Sequence, residues 1–172
     1  MTCGAGGCDN CGECGGCGTR AHGEEVMMMP MIGKEVPDMA FEAYQDDKIK
    51  DIKLSDYRGK WVILFFYPAD FTFVCPTELE DMAEHYEEFK KLNTEVLSVS
   101  TDTVYTHKAW HDASEAIKKV RFPMLADRTG KLCRALGVHI HDEGNALRGT
   151  FVVNPEGKIV STEVNDNSIG RS

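Results

Sequence analysis

Residues 61–76 read WVILFFYPADFTFVCP, and this stretch decides the fold of the chain. The apolar and aromatic run from Trp61 to Tyr67 predicts a strand that is buried on both faces. Pro68 ends this strand, and Pro76 suits the first turn of a helix. Cys75 therefore lies in the first helical turn, where free backbone amides and the helix dipole favour a thiolate.

The remaining segments alternate between strand and helix patterns. Strands are predicted at 39–44, 48–53, 95–100, 122–125, 149–153 and 158–164, and helices at 75–92, 103–119 and 130–136. The β-α-β order over residues 61–100 predicts an α/β domain with helices flanking a central sheet. Residues 1–25 are rich in Gly and Cys and almost without large apolar side chains. We therefore predict an N-terminal extension at 1–25 and one domain at 26–172.

The charge and the apolar runs exclude several classes of partner. A formal net charge of −9 repels nucleic acid and anionic lipid head groups, so we expect neither as a partner. The longest apolar runs, such as 26–29 and 61–67, are too short to cross a bilayer, and the N-terminus lacks the regions of a signal peptide. An odd number of cysteines, seven, and a reactive thiol that must begin reduced together predict a cytoplasmic protein.

Several motifs follow one another in a single register. They are PADFTFVCPTE at 68–78, VSTDTVYTHKAWHDASEAIKK at 99–119, FPMLADRTGKL at 122–132, ALRGTFVVNP at 146–155 and NDNSIGRS at 165–172. Together they resemble the AhpC-like, typical two-cysteine branch of the peroxiredoxins from about residue 30 onward. The resemblance implies an α/β, thioredoxin-like fold with a central mixed sheet. It also implies a thiol-dependent peroxidase that reduces hydrogen peroxide and small organic hydroperoxides through a sulfenic acid on Cys75, without a cofactor.

Two other functions are open at this point. A thioredoxin-like disulfide oxidoreductase would carry a reactive cysteine at the same junction. Position 78 is Glu, so Cys75 has no CxxC partner at its helix start, which disfavours dithiol exchange there. The other alternative is a metal-binding redox sensor built on a peroxiredoxin scaffold.

Three residues are candidates for catalysis beside Cys75. Arg148 precedes a predicted strand, and in the family that the chain resembles the arginine at this place reaches the thiolate. Thr72 can offer a hydroxyl to the leaving peroxide oxygen, and Pro68 can shield the site from water. By residue type alone, Thr72 is a capping residue and Pro68 a strand terminator, and both interpretations can hold together.

Two further residues, Glu78 and Arg171, are candidates for supporting roles. The resemblance implies that Glu78 orients Arg148 and that Arg171 is its second arginine partner. Trp110 is expected to pack under the site. Cys133 is expected to be a small buried thiol inside a helix.

The oligomer and the electron donor follow from the resemblance alone. AhpC-like proteins form homodimers that assemble into rings, and the predicted strand at 158–164 matches the region through which their subunits pair. The donor is a thioredoxin-like protein, a flavoprotein reductase or a rubredoxin-like protein, and the sequence does not choose among them. The resolving cysteine of the family lies beyond the NDNSIGRS motif, whereas this sequence ends at Ser172. We therefore expect either a truncated sequence or another way of resolving Cys75.

Five cysteines lie in the N-terminal extension, and the last four are spaced C-x2-C-x2-C-x2-C. They are Cys3, Cys8, Cys11, Cys14 and Cys17. Such short intervals let thiolates converge on a zinc ion or an iron–sulfur cluster. CxxC pairs also form redox-active disulfides, and glycine gives the segment the flexibility to reach Cys75. A metal or cluster site, a resolving arm and a passive tail are all open.

Two histidine pairs have spacings that metal sites use. His107 and His111 are separated by four residues on a predicted helix, and His139 and His141 share the face of a strand. No third type of ligand lies close to either pair in the sequence. We therefore expect solvated or core histidines at these four positions.

Overall fold

The computed structural model describes residues 31–171, so the boundary predicted near residue 25 lies outside the described part. The strands are β1 Ala40–Gln45, β2 Lys48–Lys53, β3 Trp61–Phe66, β4 Thr94–Ser100, β5 Met124–Ala126, β6 His139–Ile140, β7 Asn145–Ala146, β8 Arg148–Val153 and β9 Ile159–Asn165. The helices are α1 Cys75–Glu84, α2 Tyr86–Lys91, α3 Val104–Ala113 and α4 Lys131–Ala135.

The main sheet has seven strands in the order β2-β1-β5-β4-β3-β8-β9. Strand β3 pairs in parallel with β4, and β4 with β5, whereas β1, β2, β8 and β9 all pair antiparallel with their neighbours. Parallel pairing needs a crossover, which α1 and α2 supply between β3 and β4. The predicted α/β architecture, a central mixed sheet with flanking helices, is therefore confirmed.

The central strand β3 is buried on both faces, as its composition predicts. Alternate side chains enter two separate clusters, with Leu64 and Phe66 in one and Ile63, Phe65 and Tyr67 in the other. The second cluster also holds the side chain of the reactive cysteine. Because β3 is fixed by packing on both sides, the loop that leaves its end starts from a rigid point.

The prediction of a single helix at 75–92 is wrong, because the helix is interrupted at His85 and forms α1 and α2. His85 has φ −91° and ψ 0°, and its Nδ1 donates to the Asp81 carbonyl at 3.0 Å. The imidazole thus satisfies a carbonyl at the end of α1. Beyond the break, the ring of Tyr86 packs edge-on against that of Phe122, with centroids 5.6 Å apart.

The helix predicted at 103–119 is also too long, because α3 ends at Ala113. Ser114 has extended backbone angles, φ −110° and ψ 122°. Its Oγ accepts the N–H of Ile117 at 3.4 Å and so begins a separate 3-10 turn at Ile117–Lys119. A serine that hydrogen-bonds the backbone in this way competes with the helix ladder.

The described chain contains three hairpins, which join β1 to β2, β6 to β7 and β8 to β9. The β1–β2 hairpin, confirmed as predicted, turns at Asp46 and Asp47, whose φ angles of 49° and 60° are those of a type I′ turn. The β6–β7 hairpin is a feature that the sequence analysis missed. The prediction that His139 and His141 share the face of one strand is wrong, because β6 contains His139 but ends before His141. None of the helices within 31–171 has the length and hydropathy that crossing a bilayer requires.

Candidate active site

Cys75 is the first residue of α1 and is completely buried. Val74 is the N-cap, and among residues 31–171 no side chain caps the helix start. The Thr77 hydroxyl donates to the Val74 carbonyl at 2.9 Å, which tightens the turn without using the first amides of α1. The position therefore combines a thiol with helix N-terminal amides that no side chain of the described residues occupies.

Arg148 is the first residue of β8, the strand that pairs with β3, and its side chain reaches Cys75 at the start of α1. Its Nη1 lies 3.4 Å from the Cys75 Sγ and 2.6 Å from the Glu78 Oε2, and its Nε donates to the Asn167 carbonyl at 3.1 Å. The guanidinium is 3% exposed. Because guanidinium stays charged in proteins, Arg148 places a permanent, desolvated positive charge against the sulfur.

Glu78 joins two arginines. Its Oε1 accepts the backbone N–H of Arg171 at 2.7 Å, and its Oε2 accepts from the Arg171 Nη2 at 3.0 Å. The Arg171 guanidinium also lies 3.6 Å from the centroid of the Phe65 ring. Burial acts to raise the pKa of Glu78, but the hydrogen bonds and charge of Arg171 and the charge of Arg148 outweigh it and hold the pKa below its ordinary value. Glu78 is therefore a carboxylate that fixes both guanidinium groups.

The lowered pKa of Glu78 predicts a pH-dependent contribution to stability. A carboxyl whose pKa falls on folding stabilises the native state above its ordinary pKa, here 4.5, and loses that contribution as the pH falls through the native value. The free energy of unfolding of the wild type should therefore exceed that of Glu78→Gln most at neutral pH. The difference should shrink in acid when both are measured by urea denaturation.

Glu156→Gln, in the exposed turn before β9, is the matched control for that series. A difference between the wild type and Glu78→Gln that stays constant down to strongly acidic pH would contradict the assigned ion pairs.

Thr72 and Pro68 lie on the loop between β3 and α1. The Thr72 Oγ1 donates to the Ala69 carbonyl at 3.1 Å, so this hydroxyl must rotate before it can donate to a peroxide. Pro68 is buried, as a residue that shields the site would be. Their catalytic roles stay predictions.

A buried polar network that the sequence analysis missed anchors this loop. The Asp70 carboxyl group accepts from the Tyr67 hydroxyl at 2.7 Å and lies 2.6 Å from the His107 Nδ1, and the His107 Nε2 donates to the Leu125 carbonyl at 3.1 Å. The backbone N–H of Asp70 donates to the Asp102 carboxylate at 2.8 Å. The one sequence signal for this network was Asp70, a charged residue inside the largely apolar stretch at 68–75. His107 is a core histidine, as expected.

The loop presents aromatic side chains both inward and outward. Trp110 packs in the same cluster as Cys75, as predicted, and its ring lies 6.1 Å from that of Phe71. Phe71 has a φ of 57°, which is strained for a bulky residue, and Phe73 is fully exposed. A strained loop with an exposed aromatic residue therefore leads into the reactive cysteine.

Cys133 is the other cysteine in the described range, and it is buried in α4 as expected. Its backbone N–H donates to the Asp127 carboxylate at 2.9 Å. Burial, followed by the charge of Asp127, raises the pKa of the Cys133 thiol well above its ordinary value. Cys133 is thus a poor nucleophile. The N-terminal cysteines lie outside the described residues.

The sequence model described as the AhpC/TSA family matches residues 32–162, more than half of the chain. The chain belongs to the AhpC/TSA family. It is 48% identical over 143 residues to alkyl hydroperoxide reductase C of Salmonella typhimurium, covering 83% of this chain and 76% of that protein. It is 46% identical over 148 residues to the chloroplastic 2-Cys peroxiredoxin BAS1 of Hordeum vulgare, covering 84% and 70%. The crystal structure of Enterococcus faecalis AhpC superposes with a TM-score of 0.82 at 51% identity, covering 84% of this chain and 86% of that one.

Membership of the AhpC/TSA family confirms three expectations from the sequence. The chain is an AhpC-like peroxiredoxin, its fold is thioredoxin-like, and its class of activity is that of a thiol-dependent peroxidase. Peroxiredoxins need no cofactor for this chemistry. The AhpC/TSA match covers α1, Arg148 and most of the sheet, so Cys75, Glu78 and Arg148 lie within the matched part of the chain, and Arg171 lies beyond it.

Proposed function

We propose that Cys75 is the nucleophile of this peroxidase. The thiolate sulfur attacks one oxygen of a hydroperoxide, an S–O bond forms and the O–O bond breaks. The leaving oxygen takes a proton and departs as water or an alcohol, and the sulfur, oxidised by two electrons, remains as a sulfenic acid. The observation that carries the proposal is the Arg148 Nη1 lying 3.4 Å from the Cys75 Sγ at the start of α1.

Arg148 and the first amides of α1 act on the transition state in this proposal. Negative charge develops on the leaving oxygen, and fixed donors in a site without water lower its energy. Glu78 holds the Arg148 guanidinium in place through a 2.6 Å contact, so little reorganisation is needed at the moment of reaction. Thr72 adds a donor once its hydroxyl turns away from the Ala69 carbonyl.

We infer that the substrates are hydrogen peroxide and small organic hydroperoxides. Relatives of this chain carry the name alkyl hydroperoxide reductase, which states an action on alkyl hydroperoxides for those proteins. Cys75 is completely buried, so only a small substrate reaches the sulfur without a large movement of the loop. The sulfenic acid is then reduced by an external electron donor, for which we propose a thioredoxin-like, flavoprotein or rubredoxin-like protein in the cytoplasm.

Parallel assays distinguish this function from its alternatives. The reduced full chain should consume about one equivalent of peroxide per Cys75 without a donor, and catalytic amounts once a dithiol is supplied. Reduction of insulin disulfides without peroxide consumption would instead indicate a disulfide oxidoreductase. Bound metal together with an unreactive Cys75 would indicate the sensor.

For the N-terminal cysteines we propose a zinc or iron–sulfur site, with a resolving arm for Cys75 as the second candidate. The spacing of Cys8, Cys11, Cys14 and Cys17 favours the first. The second is favoured because Cys133, the other thiol within 31–171, is buried and poorly nucleophilic.

Intact-mass analysis after graded peroxide separates these candidates. The full chain and a variant with serine at all five N-terminal cysteine positions are compared. A Cys75 disulfide to one of these cysteines, absent from the serine variant, would support the resolving arm. Bound zinc or iron in the anaerobically purified wild type, lost from the serine variant, would support the metal site. A wild type that carries no metal as purified, and that is overoxidised to the same extent as the serine variant, would reject both candidates.

We also propose a homodimer formed through β9 and a ring formed from such dimers. Strand β9 is an edge of the main sheet and exposes Val160 and Val164, so a second β9 can continue the sheet. The fully exposed Phe73, with Phe71 beside it, supplies the apolar surface for the contact between dimers.

Size-exclusion chromatography with light scattering tests both contacts. The wild type should elute as a ring, and Phe73→Glu should leave dimers because a charge then replaces the apolar contact. Val160→Lys combined with Val164→Lys should give monomers, since lysine on an edge strand opposes pairing. A monomeric wild type would contradict both contacts.

A further inference from the structure

The turn of the β1–β2 hairpin meets the last turn of α3 in a cluster of three metal-binding side chains. Asp47 comes from the hairpin, and His111 and Asp112 come from the helix. One donor atom from each residue lies within 4.8 Å of the other two. Over residues 31–171 this is the single place where three such groups converge. Residue spacing does not point to His111 as a metal ligand, because the third group, Asp47, is distant in the sequence.

The imidazole of His111 is held in an orientation that leaves one nitrogen for a ligand. Its Nε2 faces the Val120 carbonyl at 3.3 Å, and a carbonyl can only accept, so Nε2 carries the proton. In the neutral ring, Nδ1 then has a free lone pair. Metal-bound histidines usually donate their other N–H to a carbonyl or carboxylate in this way.

Asp47 is supported from the core. The Tyr44 hydroxyl donates to its Oδ1 at 3.0 Å, and no hydrogen bond from the described residues 31–171 occupies the other carboxylate oxygen. Tyr44 is 1% exposed, and its ring packs edge-on to that of His111 with centroids 5.2 Å apart. One buried residue, Tyr44, therefore orients both Asp47 and His111. Acidic residues scattered over a surface would not have such a shared support.

We propose that Asp47, His111 and Asp112 bind a divalent zinc ion that ties the hairpin to α3. Imidazole nitrogen and carboxylate oxygen are both donors that zinc takes in proteins, and water completes these three ligands to four. The Lys108 ammonium now contacts the Asp112 carboxylate, and its side chain is about half exposed. Lys108 thus occupies part of the cation position and leaves when the metal enters. The site is independent of the peroxidase reaction.

Zinc titration of the full chain with serine at the five N-terminal cysteine positions tests the proposal. This background removes the competing thiolates, and isothermal calorimetry should give one zinc per chain and a raised Tm. His111→Ala should weaken binding by about 100-fold or more, and Tyr44→Phe by about 10-fold, as for other residues that support metal ligands. His141→Ala, at an exposed histidine outside the cluster, should change nothing.

Lys108→Met separates a metal site from a surface ion pair. Removal of the competing ammonium should tighten zinc binding when His111 is present and should have little effect in the His111→Ala background, whereas nonspecific attraction to the carboxylates would respond equally in both. Should the serine background fail to fold, Mn²⁺ binding to the wild type, followed by electron paramagnetic resonance, replaces zinc because thiolates disfavour this ion. The absence of saturable binding at millimolar metal, or equal binding by His111→Ala, would overturn the proposal.

Discussion

Cys75→Ser is expected to abolish peroxide consumption, down to the rate of the uncatalysed reaction. The loss of a covalent nucleophile costs enzymes about 10⁴–10⁶ in kcat, and a serine hydroxyl in this position is not ionised at neutral pH. The substitution removes little volume, so the fold should persist and far-ultraviolet circular dichroism should be unchanged. The measurement is the initial rate of hydrogen peroxide loss with an excess of dithiol.

Cys133→Ala is the matched control, because it removes the other thiol in the described range. Cys133 lies in a different cluster from Cys75 and keeps its proton through burial and the charge of Asp127. Its activity should be within about two-fold of the wild type, since no step uses this thiol. If Cys133→Ala lost all activity while Cys75→Ser stayed active, the nucleophile would be Cys133 and the assignment to Cys75 would be wrong.

Arg148→Met is expected to lower the second-order rate constant for oxidation of Cys75 by about 10²–10³. This is the usual cost of removing one fixed donor from a developing oxyanion. Arg171, which pairs with Glu78 at 3.0 Å, is kept in the variant, so the carboxylate is not left alone in the core. Rapid-mixing measurements at several peroxide concentrations give the rate constant directly.

Two further arginine variants show whether geometry or charge is responsible. Arg148→Lys keeps a positive charge but loses the fork that contacts both Cys75 and Glu78, so most of the loss should remain. Arg134→Met, at an exposed position on α4, should react like the wild type. A rate constant for Arg148→Met within a few-fold of the wild type would show that the 3.4 Å contact is structural.

The parts of the fold that the sequence predicted well are those set by neighbouring residues. The apolar composition of β3 and the Pro76 after Cys75 determine the strand and the helix start locally, and both are found. The helix breaks at His85 and Ser114 were missed. Both depend on side-chain hydrogen bonds to the backbone that residue spacing alone does not show.

Cys75 was predictable from its local sequence, but its distant partners were predictable only where a family resemblance supplied them. Arg148 is 73 residues from Cys75 in the chain, and nothing in its local sequence distinguishes it from a surface arginine. The Asp70–His107 contact, between residues 37 apart, was missed for the same reason, because antiparallel and crossover pairing decide which distant residues meet. The β1–β2 turn likewise brings Asp47 to α3 only in the folded chain.

Intact-mass analysis and peptide mapping after a single equivalent of hydrogen peroxide test the central claim most directly. The protein is reduced, freed of reductant, treated and trapped at once with a reagent that labels sulfenic acids. The proposed chemistry predicts one added oxygen per chain, with the label on the peptide that contains Cys75 and none on the peptide that contains Cys133. A sulfenic acid label that appears on another cysteine earlier in time than on Cys75 would contradict the proposed chemistry. So would an unmodified Cys75 after all the peroxide is consumed.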